Sequence, residues 1–150
     1  MKPAIICDLD GTLCNISHRL HFINNDLRSV KKDWNSFYYN MPNDTVNIWC
    51  LTIIDALLTK GIDILYVTGR PDEYKSITVD WLRRNNCPIN GIYMRPFGDN
   101  RPDSIVKKEI YETEIKNKYN VLFVIEDRMS VTKMWRDIGL TCLQCAEGLY

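Results

Sequence analysis

The Asp-Leu-Asp-Gly-Thr segment at residues 8–12 carries the side chains of this sequence that are best suited to chemistry. An ionised carboxylate such as Asp8 can attack phosphorus and form a covalent intermediate. A second carboxyl group two residues later, on Asp10, is well placed to protonate a leaving oxygen and then to take a proton from water. The segment therefore suits nucleophilic and acid–base chemistry on a phosphate ester.

Two more polar clusters come directly after apolar runs that are typical of buried strands. The Thr-Gly-Arg cluster at 68–70 follows the run 62–67, and the Glu-Asp-Arg cluster at 126–128 follows the run 121–125. Ligand sites of open parallel sheets lie beyond the carboxyl ends of the strands, so we expect both clusters to meet residues 8–12 there. Aspartates at strand ends also cap helices and fill turns, so the ordered combination carries the prediction, not any one residue.

Carboxylates gathered at one edge of a sheet repel one another and raise each other's pKa unless a cation lies between them. Mg²⁺ binds one or two carboxylates together with waters and phosphate oxygens. Such an ion would offset the repulsion between an anionic nucleophile and an anionic phosphate, and would orient both. A hydroxyl group and a lysine would complete the stabilisation of the transferring phosphoryl group. The sequence therefore predicts a Mg²⁺-dependent phosphate site.

The elements that must position this site alternate between strand and helix. Strands are predicted at residues 4–7, 62–67, 92–94, 121–125 and 140–143. Helices are predicted at residues 31–40, from an Asp44 cap to Gly61, from Tyr74 to the residue before Pro88, from an Asp103 or Ser104 cap to about Lys118, and from a Ser130 cap to Gly139. This alternation indicates an α/β fold, a three-layer Rossmann-like parallel sheet flanked by helices. Residues 14–42 are not needed for the alternation and are predicted to form a small cap insertion after the first strand.

Length, charge and hydropathy limit the class of protein. A chain of 150 residues fits one domain, and a formal net charge of zero gives no broad positive field to attract nucleic acid. Contact with DNA or RNA would then depend on a few local cations, with candidates at Arg95, Arg101, Lys107 and Lys108. No apolar run approaches the ~20 residues that cross a bilayer. We therefore expect a cytoplasmic protein, of a cell or of an infected host, that binds no membrane.

Six cysteines stand at positions 7, 14, 50, 87, 142 and 145. Nothing in the sequence indicates secretion, so we expect reduced structural thiols and not disulfides. Cys142 and Cys145 form a lone Cys-x-x-Cys pair, whereas a zinc site would need a second pair or nearby histidines. The two histidines, His18 and His21, are distant in sequence, and we expect them to have surface or packing roles.

These motifs, taken in order, resemble those of the haloacid dehalogenase superfamily of phosphatases and phosphotransferases: residues 8–12, Thr68, Lys107 and 126–127. One branch is more similar still, the 3′-phosphatase domain of phage-type polynucleotide kinase/phosphatase. The supporting segments are 67–70, 101–107, 125–128 and 134–142. The resemblance covers nearly the whole chain, so it implies a single phosphatase domain over residues 1–150.

The resemblance implies a role for each matching catalytic residue. Asp8 would be the phosphorylated nucleophile and Asp10 the acid and base, while Thr68 and Lys107 would hold the phosphate oxygens. Lys108 competes with Lys107, but consecutive helical residues point about 100° apart, so one of the two faces away. The family spacing favours Lys107.

Metal and substrate contacts are implied in the same way. Mg²⁺ would bind Asp8, the backbone carbonyl of Asp10 and Asp127, and Glu126 would orient this cluster without binding the ion. Residues of the branch that handle the substrate or the local carboxylates correspond to Arg19, Gly69, Arg70, Asp103 and Arg128.

The resulting hypothesis is a phosphatase that removes 3′-phosphate from DNA or RNA ends or from nucleotides, with a separate kinase or ligase as partner. No Gly-Lys pair occurs, so the chain has no P-loop and encodes phosphate removal alone. Two alternatives remain at this stage: a small-molecule nucleotidase, and a non-catalytic protein that binds nucleic-acid ends. The set of Asp8, Asp10, Lys107 and Asp127 argues against the second.

Overall fold

Strands and helices alternate along the computed structural model, which describes residues 1–24 and 31–148. Within those residues the strands are β1 (Lys2–Cys7), β2 (Cys14–Asn15), β3 (Thr45–Val46), β4 (Asp63–Pro71), β5 (Gly91–Arg95), β6 (Tyr119–Glu126) and β7 (Cys142–Gln144). The helices are α1 (Trp34–Tyr39), α2 (Ile48–Leu58), α3 (Lys75–Arg84), α4 (Asp103–Ile110) and α5 (Met129–Asp137). Short 3₁₀ turns lie at Ser17–Phe22, Met41–Asn43 and Asp72–Tyr74, and a π-helical turn, Tyr111–Ile115, continues α4.

Five of the strands form one parallel sheet in the order β5-β4-β1-β6-β7. The central strand β1 is buried on both faces, which explains its continuous apolar run. Side chains of a strand alternate between the faces. Accordingly Ile5 and Cys7 join one core cluster with Trp81 of α3, whereas Ala4 and Ile6 join the other with Trp135 of α5. The three-layer α/β fold that the sequence predicts is confirmed.

The segment after β1 folds onto the edge of the sheet where the strands end. β2 pairs with β3 in an antiparallel ladder, with Cys14 opposite Val46. Phe37 of α1 is buried in the same core cluster as β1. Residues 25–30 of the predicted cap insertion lie outside the described residues. The part that the structure describes is therefore anchored in the core next to the carboxyl edge of the sheet.

Several predicted helix starts are wrong. Asn47, not Asp44, precedes α2, because the Asp44 carboxylate is buried and accepts hydrogen bonds from an arginine instead of capping a helix. The residue before α5 is Arg128, and Ser130 lies inside that helix. Similarly, Pro102 precedes α4, and no side chain caps it.

Other boundaries shift by a few residues. The helix predicted to reach about Lys118 keeps α-helical geometry only to Ile110 and then continues as the π-helical turn. The last strand begins at Cys142 and not at residue 140. No helix within residues 1–24 and 31–148 is long and apolar enough to cross a membrane.

Candidate active site

The three polar clusters meet at the carboxyl edge of the sheet. Asp8 follows β1 directly, and its backbone N–H donates to the carbonyl of Ile125 in β6 at 3.0 Å, which fixes Asp8 beside the end of that strand. Thr68 lies in β4 on the other side of β1, and Asp127 follows β6. Gly11 adopts a φ of 84°, which favours glycine and lets the chain turn back immediately after Asp10. The convergence predicted from the strand ends is present.

Lys107 is the lysine that reaches the nucleophile candidate. Its Nζ donates to Oδ1 of Asp8 at 2.8 Å and to Oε2 of Glu126 at 2.9 Å, and lies 3.5 Å from Oδ2 of Asp103. The Lys107 side chain is buried, while that of Lys108 is exposed to solvent. The rotation of a helix between consecutive residues thus separates the two lysines as expected.

Burial and crowding dominate the electrostatics around Asp8. Loss of solvation raises the pKa of Asp8 well above its usual range, and the charges of Glu126 and Asp127 add to this while Lys107 opposes it. Burial likewise raises the pKa of Glu126. Burial alone would lower the pKa of Lys107, but the carboxylates of Asp103, Asp8 and Glu126 raise it well above its usual range. One ammonium group therefore faces several carboxylates, and the site favours a further cation.

The chemistry of the donor set fits a hard divalent ion. Asp8, Glu126 and Asp127 are buried, and each offers an oxygen such that the three atoms lie within 4.8 Å of one another. Only carboxylate oxygens are offered, which are the ligands that Mg²⁺ prefers. Both Glu126 oxygens already accept hydrogen bonds, from Lys107 and from the backbone N–H of Arg128. Lys107 also donates to Asp8, so Asp8 and Glu126 share its ammonium group, and all three carboxylates are placed around one candidate cation site.

A second group of carboxylates, Asp10 and Asp44, is paired with two arginines. Nη2 of Arg19 donates to Oδ1 of Asp10 at 2.6 Å, and Nη2 of Arg70 donates to the same oxygen at 2.5 Å. Nε of Arg70 also contacts both Asp10 oxygens, at 3.1 and 3.2 Å. Asp10, Cys14 and Asp44 have the spacing of a metal-binding group, but the two guanidinium groups already neutralise its carboxylates. We therefore assign no metal to it.

The two guanidinium groups also control the charge of Asp10. Burial alone would raise the pKa of Asp10, but Arg70 and Arg19 hold it well below the usual range of an aspartate. Asp10 is consequently a carboxylate in this arrangement, the form that accepts a proton. Arg19 and Arg70 are almost completely buried, so they orient Asp10 and are not exposed to an approaching substrate.

Asp103, Gly69 and Arg128 surround the entrance. A side chain at Gly69 would overlap the carboxylate of Asp103, so this position needs a glycine. Nε of Arg95 donates to the carbonyl of Gly69 at 2.9 Å, and its Nη2 lies 3.4 Å from Oδ1 of Asp103. Nη1 of Arg128 lies 3.6 Å from the other Asp103 oxygen. The Asp103 carboxylate thus forms ion pairs with both Arg95 and Arg128 at the edge of the pocket.

The pocket over Asp8 has a volume of about 60 Å³. That is enough for roughly four waters, or for one phosphate group. Its lining includes Asp8, Asp10, Thr68, Glu126 and Asp127, together with aromatic residues of α1. The pocket is therefore a small, polar space of the size of a phosphoryl group next to the nucleophile candidate.

Comparison with known families decides the class of this fold. A family model for the polynucleotide kinase PNKP phosphatase domain matches residues 2–150. The chain belongs to this family. It is accordingly a phosphatase domain of the haloacid dehalogenase type and a phosphoric monoester hydrolase, as the motif order indicates.

Two relatives share sequence with this phosphatase domain. The baculovirus protein named "Putative bifunctional polynucleotide kinase/RNA ligase", from Autographa californica nuclear polyhedrosis virus, is 26% identical over 139 residues. The alignment covers 91% of this chain but 18% of that protein. A chain in the structure of the Pnkp1/Rnl/Hen1 complex is 28% identical and superposes with a TM-score of 0.84, covering 100% of this chain and 48% of the other. The chain thus spans less than half the length of either relative.

A third similarity concerns the fold alone. The tungstate-bound class C acid phosphatase from Bacillus anthracis superposes with a TM-score of 0.74 at 17% identity, over 99% of this chain and 68% of the other. It shows that the same arrangement of sheet and helices occurs in that structure.

One functional-site residue of this phosphatase domain was missed at the sequence level. Asp44 accepts hydrogen bonds from Nε and Nη2 of Arg19 at 2.8 and 2.7 Å and from His18 at 2.7 Å. It also lies 3.5 Å from Arg70, so it supports both arginines that hold Asp10. No local signal distinguishes it from a helix cap, because its partners lie 25 or 26 positions away. His18, expected to have a surface or packing role, belongs to this network.

The cysteines do not contribute ligands to the carboxylate cluster. All six are free thiols, and burial raises the pKa of Cys14 and, to about 11, of Cys87 and Cys142. Sγ of Cys7 lies 3.7 Å from Sγ of Cys50 in the core beneath Asp8. Cys7 and Cys50 therefore act as small packed side chains, whereas Sγ of Cys14 accepts a hydrogen bond from Arg70 and Sγ of Cys145 lies 3.7 Å from Oγ1 of Thr12.

Proposed function

We propose that this domain removes the phosphate from 3′-phosphorylated ends of DNA or RNA in a Mg²⁺-dependent reaction that passes through a phosphorylated Asp8. The observation that carries the proposal is the placement of Asp8 and Asp10 at one pocket, each held by different cationic side chains. Lys107 contacts the first carboxylate, whereas Arg19 and Arg70 hold the second. Both carboxylates line the phosphate-sized space, so Asp8 is placed to act as the nucleophile while Asp10, fixed by the two arginines, handles protons.

The reaction proceeds in two displacements. An oxygen of Asp8 forms a bond to phosphorus while the bond between phosphorus and the 3′-oxygen breaks, and Asp10 gives its proton to that leaving oxygen. Asp10 then takes a proton from a water whose oxygen bonds to phosphorus, and the bond from phosphorus to Asp8 breaks. Inorganic phosphate and a 3′-hydroxyl are the products, and Asp10 ends the cycle with the proton with which it began.

The acid step requires a protonated Asp10, which the two arginines oppose. Asp10 itself lines the phosphate pocket, so the negative charge of a bound phosphate group would raise the proton affinity of Asp10 against the effect of the arginines. Asp44 holds both buried arginines in place, so they keep Asp10 oriented throughout.

Mg²⁺ would be held by Asp8, the backbone carbonyl of Asp10 and Asp127. When bound, it supplies charge neutralisation between the nucleophile and the phosphate. Lys107 stabilises the transferring phosphoryl group from the side of α4, and Thr68, which is buried beside the pocket, orients one phosphate oxygen. Arg95 and Arg128 both pair with Asp103 at the entrance of the pocket.

A 3′-hydroxyl end is the form that a nucleic-acid ligase joins, so we propose that such a ligase, or a separate kinase, uses the product. The support is that the chain in the Pnkp1/Rnl/Hen1 complex and the viral kinase/ligase both contain a region similar to this domain. The activities of those longer proteins are not assumed for this chain.

Initial rates on four substrates test the proposal: a 3′-phosphorylated oligonucleotide, its 5′-phosphorylated isomer, and the matching 3′- and 5′-mononucleotides. Each is measured with Mg²⁺ and with EDTA. We expect the fastest hydrolysis at the 3′-phosphorylated oligonucleotide and none with EDTA. Faster hydrolysis of the mononucleotides would identify a nucleotidase instead. Binding of the oligonucleotide without release of phosphate from any substrate would identify a non-catalytic end-binding protein.

A further inference from the structure

An open groove of about 680 Å³ adjoins the pocket over Asp8. The two spaces share five lining residues: Trp34, Tyr38, Arg95, Asp103 and Arg128. With a phosphoryl group beside Asp8, the groove that shares these five residues with the pocket offers an adjoining space for the rest of a substrate. The volume of the groove is within the range of binding sites for ligands larger than phosphate.

Aromatic rings form one wall of this groove. The rings of Trp34 and Tyr38 are stacked with their centroids 5.8 Å apart and their planes 24° apart, and the ring of Tyr74 lies 5.0 Å from that of Tyr38. Trp34 is 39% exposed, and Nζ of Lys32 lies 5.6 Å from its ring centroid. Phe97, which is 73% exposed, also lines the groove. Trp34 and Phe97 therefore expose apolar ring surface beside the catalytic pocket, while Tyr38 packs against both Trp34 and Tyr74.

The charge of the groove is nearly balanced. Its lining contains four cations, Lys32, Arg95, Arg101 and Arg128, and three carboxylates, Glu73, Asp99 and Asp103. Arg95 donates to three backbone carbonyls, and Arg101 pairs with Asp99 and Glu109. Much of the positive charge is therefore already used within the protein. A ligand that fits this surface gains more from ring contacts than from neutralisation of many phosphates.

We propose that this groove is a base-stacking subsite for the unpaired nucleotides that precede the 3′-terminal phosphate, with Trp34 as its principal platform. The proposal rests on the proposed function and names the residues that would hold the strand next to its 3′ end. A base within a duplex has both faces covered by its neighbours, whereas an unpaired base can stack on an exposed indole or phenyl ring. Stacking of this kind accepts any base, so the subsite recognises a strand without reading its sequence.

The test compares two single-stranded 3′-phosphorylated oligonucleotides, one intact and one with abasic residues at the three positions nearest the phosphate. The readout is the ratio of kcat/KM for the intact strand to that for the abasic strand. We expect a ratio of about fivefold or more in the wild type, given the usual contribution of a stacked base. Trp34→Leu should bring the ratio close to one, and Trp34→Phe should preserve most of it.

Trp49→Leu is the matched control, since Trp49 is 44% exposed but lines neither space. Its ratio should equal that of the wild type. Phe97→Ala, a change at an exposed residue of the same groove, should lower the ratio and provides a second variant if Trp34→Leu folds poorly. Circular dichroism and thermal unfolding establish that each variant is folded.

The outcomes separate this inference from the function on which it rests. A wild-type ratio near one, with rapid hydrolysis of both strands, overturns the stacking subsite and leaves the 3′-phosphatase in place. An unchanged ratio in folded Trp34→Leu and Phe97→Ala overturns the subsite as well, even if both rates fall. Hydrolysis of glycerol phosphate without hydrolysis of either strand overturns the proposed function together with the subsite.

Discussion

Arg19 and Asp44 lie 25 positions apart in sequence, and their side chains form a two-bonded ion pair in which neither is exposed to solvent. The same Arg19 Nη2 continues to Asp10, so the pair connects the hydrophobic core beneath the insertion to the proton-handling carboxylate. Its geometry makes Asp44 a structural requirement of the site, although Asp44 never faces the phosphate pocket.

We predict that Asp44→Ala destabilises the protein by roughly 3–5 kcal/mol, because it leaves buried guanidinium groups with too little negative charge nearby. Chemical denaturation followed by circular dichroism measures this loss. Asp137→Ala is the control, since that carboxylate is exposed and pairs with exposed Lys133, and its effect should stay within about 0.5 kcal/mol. Equal stabilities for the two variants would show that the Arg19 network is not supported by Asp44.

For Asp8→Asn we expect a fall in kcat of more than about hundredfold with the fold retained, since an amide does not attack phosphorus. Stability should not decrease, because the change removes one carboxylate from a crowded cluster. Phosphate release and thermal unfolding give the two readouts, and intact mass excludes deamidation back to aspartate. Activity above a few per cent of wild type in undeamidated protein would rule out the phosphoaspartate route.

Replacing each of the two adjacent lysines by methionine should give very different results. Lys107→Met removes the ammonium group that contacts Asp8 and Glu126 and should lower kcat/KM by more than about hundredfold. Lys108→Met alters an exposed side chain and should change hydrolysis of a 3′-mononucleotide by less than about twofold. Comparable losses in the two variants would contradict the assignment of Lys107.

The sequence predicts the positions of some of these residues but not the role of Asp44, and the reason is physical. Apolar runs predict the main sheet strands because their burial on both faces is a local property, and strand ends place Asp8, Thr68 and Asp127 together by topology alone. Helix geometry separates Lys107 from Lys108. The role of Asp44 could not be predicted in this way, because it depends on contacts with Arg19 and Arg70 from distant segments. The sequence around Asp44 also fits a helix cap. In the folded protein the ion pairs with Arg19 and Arg70 hold the Asp44 carboxylate instead.

Asp127→Asn should raise the Mg²⁺ concentration required for half-maximal activity by about tenfold or more, since it weakens one of the carboxylate ligands. Calorimetric titration of Mg²⁺ into the protein without substrate gives a readout that does not depend on turnover. Glu126→Gln should change the Mg²⁺ requirement less, because the role proposed for Glu126 is to hold Lys107 and not to bind the ion. If Glu126→Gln shows the larger effect, Glu126 and not Asp127 binds the ion.

Salt should affect the hydrolysis of long and short substrates almost equally. The formal net charge is zero, and Arg95 and Arg101 at the groove are engaged with partners in the protein, so few phosphates can be neutralised. Each neutralised phosphate of a single strand contributes a slope of roughly −0.7 to the logarithm of affinity against the logarithm of salt concentration. We therefore expect a slope of about −1 to −2 for kcat/KM on a 3′-phosphorylated oligonucleotide measured across a range of NaCl concentrations.

The matching 3′-mononucleotide, measured in the same series, supplies the contribution of the reacting phosphate alone. A slope of about −4 or steeper for the oligonucleotide would mean that the strand is bound through its backbone along a charged surface, which the balanced lining of the groove does not provide.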